Sequence, residues 1–408
     1  MKKTIALLAA GGILLHSAPA AENSAVCAAE TSEVQFRYTI DNGGITLTGA
    51  SGAGDFLDIP SNIDGLPVTD IAEGFFTNSN GLIFVNLPDS LVTIGKKAFS
   101  NCSQLISVHI GSGTVSIDEQ AFSACPKLQK IDVSADNKIY HSENGSLYKD
   151  DSLLIYAGSG SAVIAPTTVS IGKFAFFGKT ELSSVEIPYG MKAIGDYAFA
   201  GCLALTNADI PDTVTSIGDA CFLSCTALDA VHLGGGLTTI PDSCFHGCTA
   251  LKIVHIPDSV TVIKDYAFYS CDSLVNVLVP PSVDSIGTDA LGRKFVIRSN
   301  SVENIPNFTI KGSIGSAAQR YAASMNMLFI EEGERKVVTG DVNSDNIIDG
   351  KDATITLTEY AKLSAGKAGT FTAAQRQAAD FNKDSTVDGK DASAILAYYA
   401  KNSVQADS

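Results

Sequence analysis

Two stretches near the end of the chain, starting at Asp341 and Asp380, repeat the same twelve-residue spacing of oxygen-bearing side chains. The first offers Asp341, Asn343, Asp345, Asp349 and Asp352, with the Ile347 carbonyl between them. The second offers Asp380, Asn382, Asp384, Asp388 and Asp391, with the Thr386 carbonyl. Counted from the first Asp, both fill positions 1, 3, 5, 7, 9 and 12. That pattern is an all-oxygen cage of the kind Ca²⁺ takes at ~2.3 to 2.6 Å, so the spacing predicts two Ca²⁺ ions. Recurrence in register is what separates this pattern from a merely acidic surface loop.

Each loop runs into the same helical phrase. Gly350-Lys351-Asp352-Ala353 returns 39 residues later as Gly389-Lys390-Asp391-Ala392, and Leu357, Tyr360, Ala361 and Lys362 return as Leu396, Tyr399, Ala400 and Lys401. This paired loop and helix resembles the dockerin module over residues 340–404. The resemblance implies a small all-α, calcium-binding plug for a cohesin on a cellulosome scaffold. It also implies cohesin contacts from Lys351, Leu357 and Lys362 on one helix and from Lys390, Leu396 and Lys401 on the other. Positions 10 and 11 read Gly-Lys in both copies, which differs from the Ser, Thr or aliphatic pairs common in dockerins and suggests a ruminococcal type of socket. Position 6 holds Asn346 and Ser385 where an EF-hand has Gly, so residues less suited to a sharp turn must make it.

The segment ahead of this module is periodic. Ile187-Pro188, Ile210-Pro211, Leu233-Gly234 and Ile256-Pro257 each start 23 residues after the last, and frames from Leu87, Ile110, Ile164 and Val279 fit the same phrase. One such turn cannot bury its own apolar face, so turns must stack into a solenoid. Within Ile256 to Leu278 the inward set is Ile256, Val260, Ile263, Ala267, Phe268, Cys271, Leu274 and Val277. This phrase resembles the BspA-like leucine-rich repeats. The expected fold is an α/β leucine-rich-repeat solenoid over residues 34–332, with a cap at 307–332 and a linker at 333–339 before the dockerin. Residues 134–163 break the period, and Asn144-Gly145 between strand-like runs predicts a tight hairpin that forms a flap on the solenoid.

Lys2-Lys3, an apolar run from Ile5 to Leu15, and Ala18 and Ala20 read as a secretory signal peptide over residues 1–20. No other stretch approaches the ~18 apolar residues of a membrane span. A net charge of -16 leaves no basic stripe for nucleic acid. The expectation is therefore a secreted protein, held at the cell surface through a scaffold, with no nucleic-acid partner and no membrane insertion.

Of nine cysteines, six share position 16 of the repeat (Cys102, Cys125, Cys202, Cys225, Cys248, Cys271), a small buried slot. Cys221 and Cys244 replace the Ala before the wall Phe, and a bridge between these two stays open in the sequence. Asp209, His232 and His255 share an outward strand position, where a metal or an acid and base stand against a plain solvated face. No nucleophile elbow or phosphate loop accompanies them, and the chain has no Trp to grip sugar rings. Three functions follow: a non-catalytic interaction protein whose solenoid binds a protein or surface ligand, a cellulosomal hydrolase, or an architectural spacer. The first is favoured because repeats and caps leave little room for the paired carboxylates of a glycosidase.

Overall fold

The computed structural model describes residues 7–8, 25–28, 34–332, 337–343, 347–366, 369, 371 and 373–403. Most of the expected signal peptide and linker, together with Asp345, Asn346 and Val404, lies outside these residues.

A hairpin of Gln35–Asp41 and Gly44–Ser51 opens the array, turning at Asn42 and Gly43, which both hold positive φ (49° and 82°) as a two-residue hairpin turn requires. Its Phe36, Tyr38, Ile45 and Leu47 seal the end of the core. From there the chain coils as a β-solenoid with two parallel sheets. The longer strands stack in register at the repeat period: Val85 pairs Val108, which pairs Ile131, and Ala208 pairs Val231, which pairs Val254. The short strands on the opposite side, such as Thr239–Ile240, Val262–Ile263 and Ser285–Ile286, do the same. Between them each coil runs as turns, so the two walls are β and the helices lie beyond the repeats.

The Phe at position 13 makes the inner wall. Phe199, Phe222, Phe245 and Phe268 are fully buried, and their rings stack at 5.1, 5.3 and 5.1 Å with planes 4 to 11° apart. That spacing matches the ~4.7 to 4.9 Å between strands, so the ring column follows from the coil rise. Position 16 holds the thiols, and each points back to the Phe carbonyl 26 residues earlier: Cys225 Sγ to Phe199 O at 3.1 Å, Cys248 to Phe222 at 3.2 Å and Cys271 to Phe245 at 3.2 Å. The slot therefore selects a small side chain with a donor, which goes beyond small apolar packing. The eight cysteines from Cys102 to Cys271 are buried and free, Cys221 and Cys244 included.

The insertion does not stand off as a flap. Its hairpin, His141–Glu143 with Ser146–Lys149, turns at Asn144 and Gly145 (φ 50° and 78°). Ser146–Lys149 then pairs with Ser152–Ile155, which rejoins the short-strand sheet through Ser170–Ile171. Leu147, Tyr148 and Leu153 are buried because this strand is part of the coil wall. Tyr156 takes the place of the missing Phe, with its ring 4.4 Å from that of Phe176. The apolar core divides here into an N-terminal and a C-terminal cluster. Lys179 occupies position 16 at this break, 5 % exposed, and its Nζ donates to Leu128 O at 2.6 Å, a carbonyl that also accepts from Gly158 N at 2.8 Å. A Cys would not reach across the irregular coil. Burial holds the Lys179 ammonium down at about 8.

Thr309–Gly312, the helix α1 (Ala317–Ser324) and Leu328–Glu331 close the array, with Ser316 capping α1 and Tyr321 Oη bonded to the Leu291 backbone at 3.0 Å. Three further helices follow: α2 (Gly350–Ser364), α3 (Ala373–Ala379) and α4 (Gly389–Ser403). Their core is small, built on Val342, Ala353, Ile355, Phe371, Ala392 and Ile395.

Candidate metal centre

Each acidic loop ends by starting a helix, and the last loop carboxylate does both jobs. Asp349 is the N-cap of α2 and accepts from Lys351 N at 2.7 Å, while Asp352, three residues on, reaches back to Asp349 N at 2.9 Å. This reciprocal cap satisfies amides that a helix start leaves unpaired. The other oxygen of Asp352 accepts from Val342 N at 2.8 Å and Asn343 N at 3.2 Å, so a fully buried carboxylate ties the two ends of the loop together. The second loop repeats the arrangement: Asp391 accepts from Asp388 N at 2.9 Å and Asn382 N at 3.0 Å, and Asp388 caps α4 through Lys390 N at 2.7 Å. An Asp at position 12 is short enough to make these bonds while facing the loop interior.

In the second loop Asp380, Asp384 and Asp391 bring carboxylate oxygens within 4.8 Å of one another. Asp380 Oδ1 is buried with no hydrogen-bond partner, while its Oδ2 accepts from Ser385 N at 2.9 Å. A buried carboxylate oxygen without a donor is costly unless a cation meets it, so this donor set fits Ca²⁺. Asp384 accepts from the Thr386 hydroxyl and amide (2.5 and 3.0 Å), which hold its carboxyl below the usual range. Ser385, at the turn position, has φ 69°, the strained geometry expected there. In the first loop Asp341 is buried and Ile347 is exposed, and Asp345 falls outside the described residues.

The helix residues expected to meet a cohesin lie on both copies. Leu357 and Leu396 are each 44 % exposed, and Lys401 is exposed. Lys390 is more open than Lys351 (77 against 46 % of the side chain), because Lys351 Nζ pairs with Asp209 Oδ2 of the array at 2.5 Å. Lys362 lies 3.8 Å from Glu359, whose other oxygen accepts from Phe371 N at 3.0 Å.

On the strand face, His232 Nδ1 lies 2.9 Å from Asp209 Oδ1, and His109 pairs with Asp132 in the same way at 3.1 Å. Burial pushes the Asp209 carboxyl up, but the bonds from His232 and Lys351 outweigh it and hold Asp209 at about 2. These are cross-strand pairs of neighbouring coils. Among the described residues the one grouping of three or more acids, histidines or cysteines placed to hold an ion is in the second acidic loop.

Fold and loops together define a leucine-rich-repeat solenoid joined to a calcium-type docking module. The BspA type leucine rich repeat region matches six copies, over residues 66–154 and 169–294, and the dockerin type I domain matches residues 339–398. The chain belongs to the BspA type leucine-rich repeat family and carries a dockerin type I domain. Both are non-catalytic kinds of domain, and dockerins bind calcium and cohesins. No curated protein matches the chain. Among solved structures, a leucine-rich repeat protein from Eubacterium ventriosum is 22% identical, covers 64% of this chain and 92% of its own, and superposes with a TM-score of 0.51. A leucine rich cell surface protein from Faecalibacterium prausnitzii is 20% identical over 65% of this chain and 94% of its own, with a TM-score of 0.33. A Bacteroides ovatus leucine-rich repeat protein is also 20% identical, over 73% of this chain and 98% of its own, with a TM-score of 0.36. The likeness to the Eubacterium ventriosum protein, at 22% identity, is one of fold.

Proposed function

We propose that this is a secreted, non-catalytic adaptor that plugs into a cellulosome-type cohesin through two calcium loops and presents its repeat surface to a protein or surface ligand. The observation that carries the reading is the duplicated loop, whose second copy gathers three carboxylates, one of which, Asp380, has a buried oxygen that lacks a donor. Asp341, Asn343, Asp345, Ile347, Asp349 and Asp352 would hold one ion, and Asp380, Asn382, Asp384, Thr386, Asp388 and Asp391 the other. Each ion neutralises four carboxylates crowded into twelve residues, so binding and folding of the module are linked. The near-identical helices α2 and α4 then present Lys351, Leu357 and Lys362, or Lys390, Leu396 and Lys401, to the cohesin. Residues 1–20 direct export, and 333–339 join two independent modules.

The test is calorimetric titration of the metal-free chain with calcium chloride, followed by capture on immobilised cohesins of ruminococcal and clostridial type. Two equivalents of calcium and calcium-dependent capture are expected, and Asp341→Ala with Asp380→Ala should abolish both. A chain that takes up no calcium, or that no cohesin holds in calcium, rules the reading out.

A further inference from the structure

The outer face of the long-strand sheet is mostly polar, with Val163 and Ile253 exposed singly, but at its N-terminal end two large apolar side chains stand on adjacent strands. There the strands Phe56–Asp58, Phe84–Asn86, Ser107–Ile110 and Lys130–Val133 lie side by side in register, with Phe56 opposite Phe84 and Asp58 opposite Asn86. Phe56 and Phe84 are 49 and 43 % exposed. Two phenyl rings open to water on adjacent strands cost solvation that the fold does not require. The equivalent positions one and two coils on carry Ser107 and Lys130, which shows that the coil accepts polar residues there.

Beside the rings runs a polar column whose members already hold one another in place. Asn86 Nδ2 donates to Asp58 Oδ1 at 2.7 Å, and Asp132 takes His109 Nδ1 and Lys130 Nζ, both at 3.1 Å. An apolar platform next to carboxylate and amide groups oriented in advance is the chemistry that meets a pyranose ring: C–H faces lie on the aromatic surface, and hydroxyls donate to the carboxylates. A protein hot spot asks for more. It is ringed by a wide dry rim and fills part of ~800 Å² per partner, whereas this patch is two rings wide with hydrogen-bonding groups along its side. The chain's net charge of -16, with Asp58 and Asp132 at the patch itself, disfavours polyanionic glycans.

We propose that Phe56 and Phe84, with Asp58 and Asn86, form a binding site for a neutral polysaccharide on the strand face of the first coils. This rests on the reading of the repeats as a ligand-presenting surface and names the ligand class. In this site a pair of exposed phenyl side chains on adjacent strands would stand in for the Trp that the chain lacks.

The experiment is native affinity electrophoresis of the full chain, in calcium, through gels containing mixed-linkage β-glucan, xylan, galactomannan or polygalacturonate. Retardation by at least one neutral polymer is expected, with at least a tenfold weaker effect for Phe56→Ala with Phe84→Ala and for Asp58→Ala with Asn86→Ala. Ile253→Ala, an exposed residue of the same face far along the array, should migrate as wild type. Thermal melts of each variant separate loss of the site from loss of the fold. The proposal fails if no neutral polymer retards the chain, if the double Phe variant binds as wild type, or if polygalacturonate binds as well as the neutral polymers. Cohesin capture run in parallel keeps that failure apart from failure of the docking reading.

Discussion

Lys179 puts a measurable pH dependence into the array. Its ammonium is buried at the break between two core clusters, with one carbonyl, Leu128 O, to receive it. Burial lowers it from 10.5 to about 8, against a smaller upward pull from Cys125, Cys202 and Glu181. Below pH 8 the folded and unfolded chains both carry the proton, and the full cost of burying it is present. Between 8 and 10.5 the folded chain has released the proton while the unfolded chain still holds it, so stability rises with pH. Above 10.5 both are neutral and the rise ends. At about 1.4 kcal/mol per pH unit, the gain between pH 7.5 and 9.5 is about 2 kcal/mol. Buried thiols such as Cys225, pushed up to about 12, act the other way, because their unfolded counterparts ionise first as pH rises through 9. The measurement is therefore a difference: urea unfolding of wild type and Lys179→Met, in reductant and calcium, at both pH values. The methionine variant, free of the buried charge, should be the more stable at pH 7.5, and its advantage should shrink by about 2 kcal/mol at pH 9.5. A difference that stays constant across that range refutes a buried charge at Lys179.

Phe245→Ala removes a fully buried ring stacked on both sides and should cost about 3 to 5 kcal/mol in urea unfolding, whereas Ile253→Ala, at 69 % exposure, should cost under about 0.5 kcal/mol. Equal losses would show that the inner wall lies elsewhere. With eight cysteines buried and free, at most Cys27 should react with a thiol reagent in the native chain at pH 8, and all nine in urea without reductant. Excess chelator should remove the helical signal of the dockerin while the array keeps its own thermal transition; loss of both together would mean the modules do not fold independently.

The period of the array was legible because burial selects residue types at fixed intervals: the Phe at position 13 and the Cys at position 16 read straight through to the ring column and the buried thiols. The backbone was less so. At positions 11 and 15 of most coils the chain turns through the left-handed region, at Tyr197, Ala220, Ser243 and Tyr266, and at Gly201, Ser224, Gly247 and Ser270. Glycine marks that requirement at some coils, but Tyr and Ser elsewhere conceal it, since the stacking coils enforce a φ the residue alone would avoid. The insertion was misread as a flap because its hairpin signal is local, while its burial depends on which sheet the third strand joins. The hairpin of Arg293–Val296 with Ser301–Asn304 gave no turn signal beyond Ser299-Asn300 and was not foreseen. In the docking module the spacing marked the two acidic loops, whereas the bonds by which Asp352 and Asp391 tie their loop ends together and reach back to the capping residues came from the structure.

The two halves of the chain solve the problem of a small core in different ways, and the difference bears on how the protein works. Most coils of the array bury a Phe and a Cys against neighbouring coils, so stability accumulates along the stack and little of it rests on the outward strand positions. Those positions are where Phe56, Phe84 and the paired Asp and His residues stand. The docking module has no such stack. Its core rests on a few residues, several of them Ala, while its two loops carry eight carboxylates in sequence. On the proposed reading calcium supplies the stabilisation that this small core lacks, so docking depends on the metal.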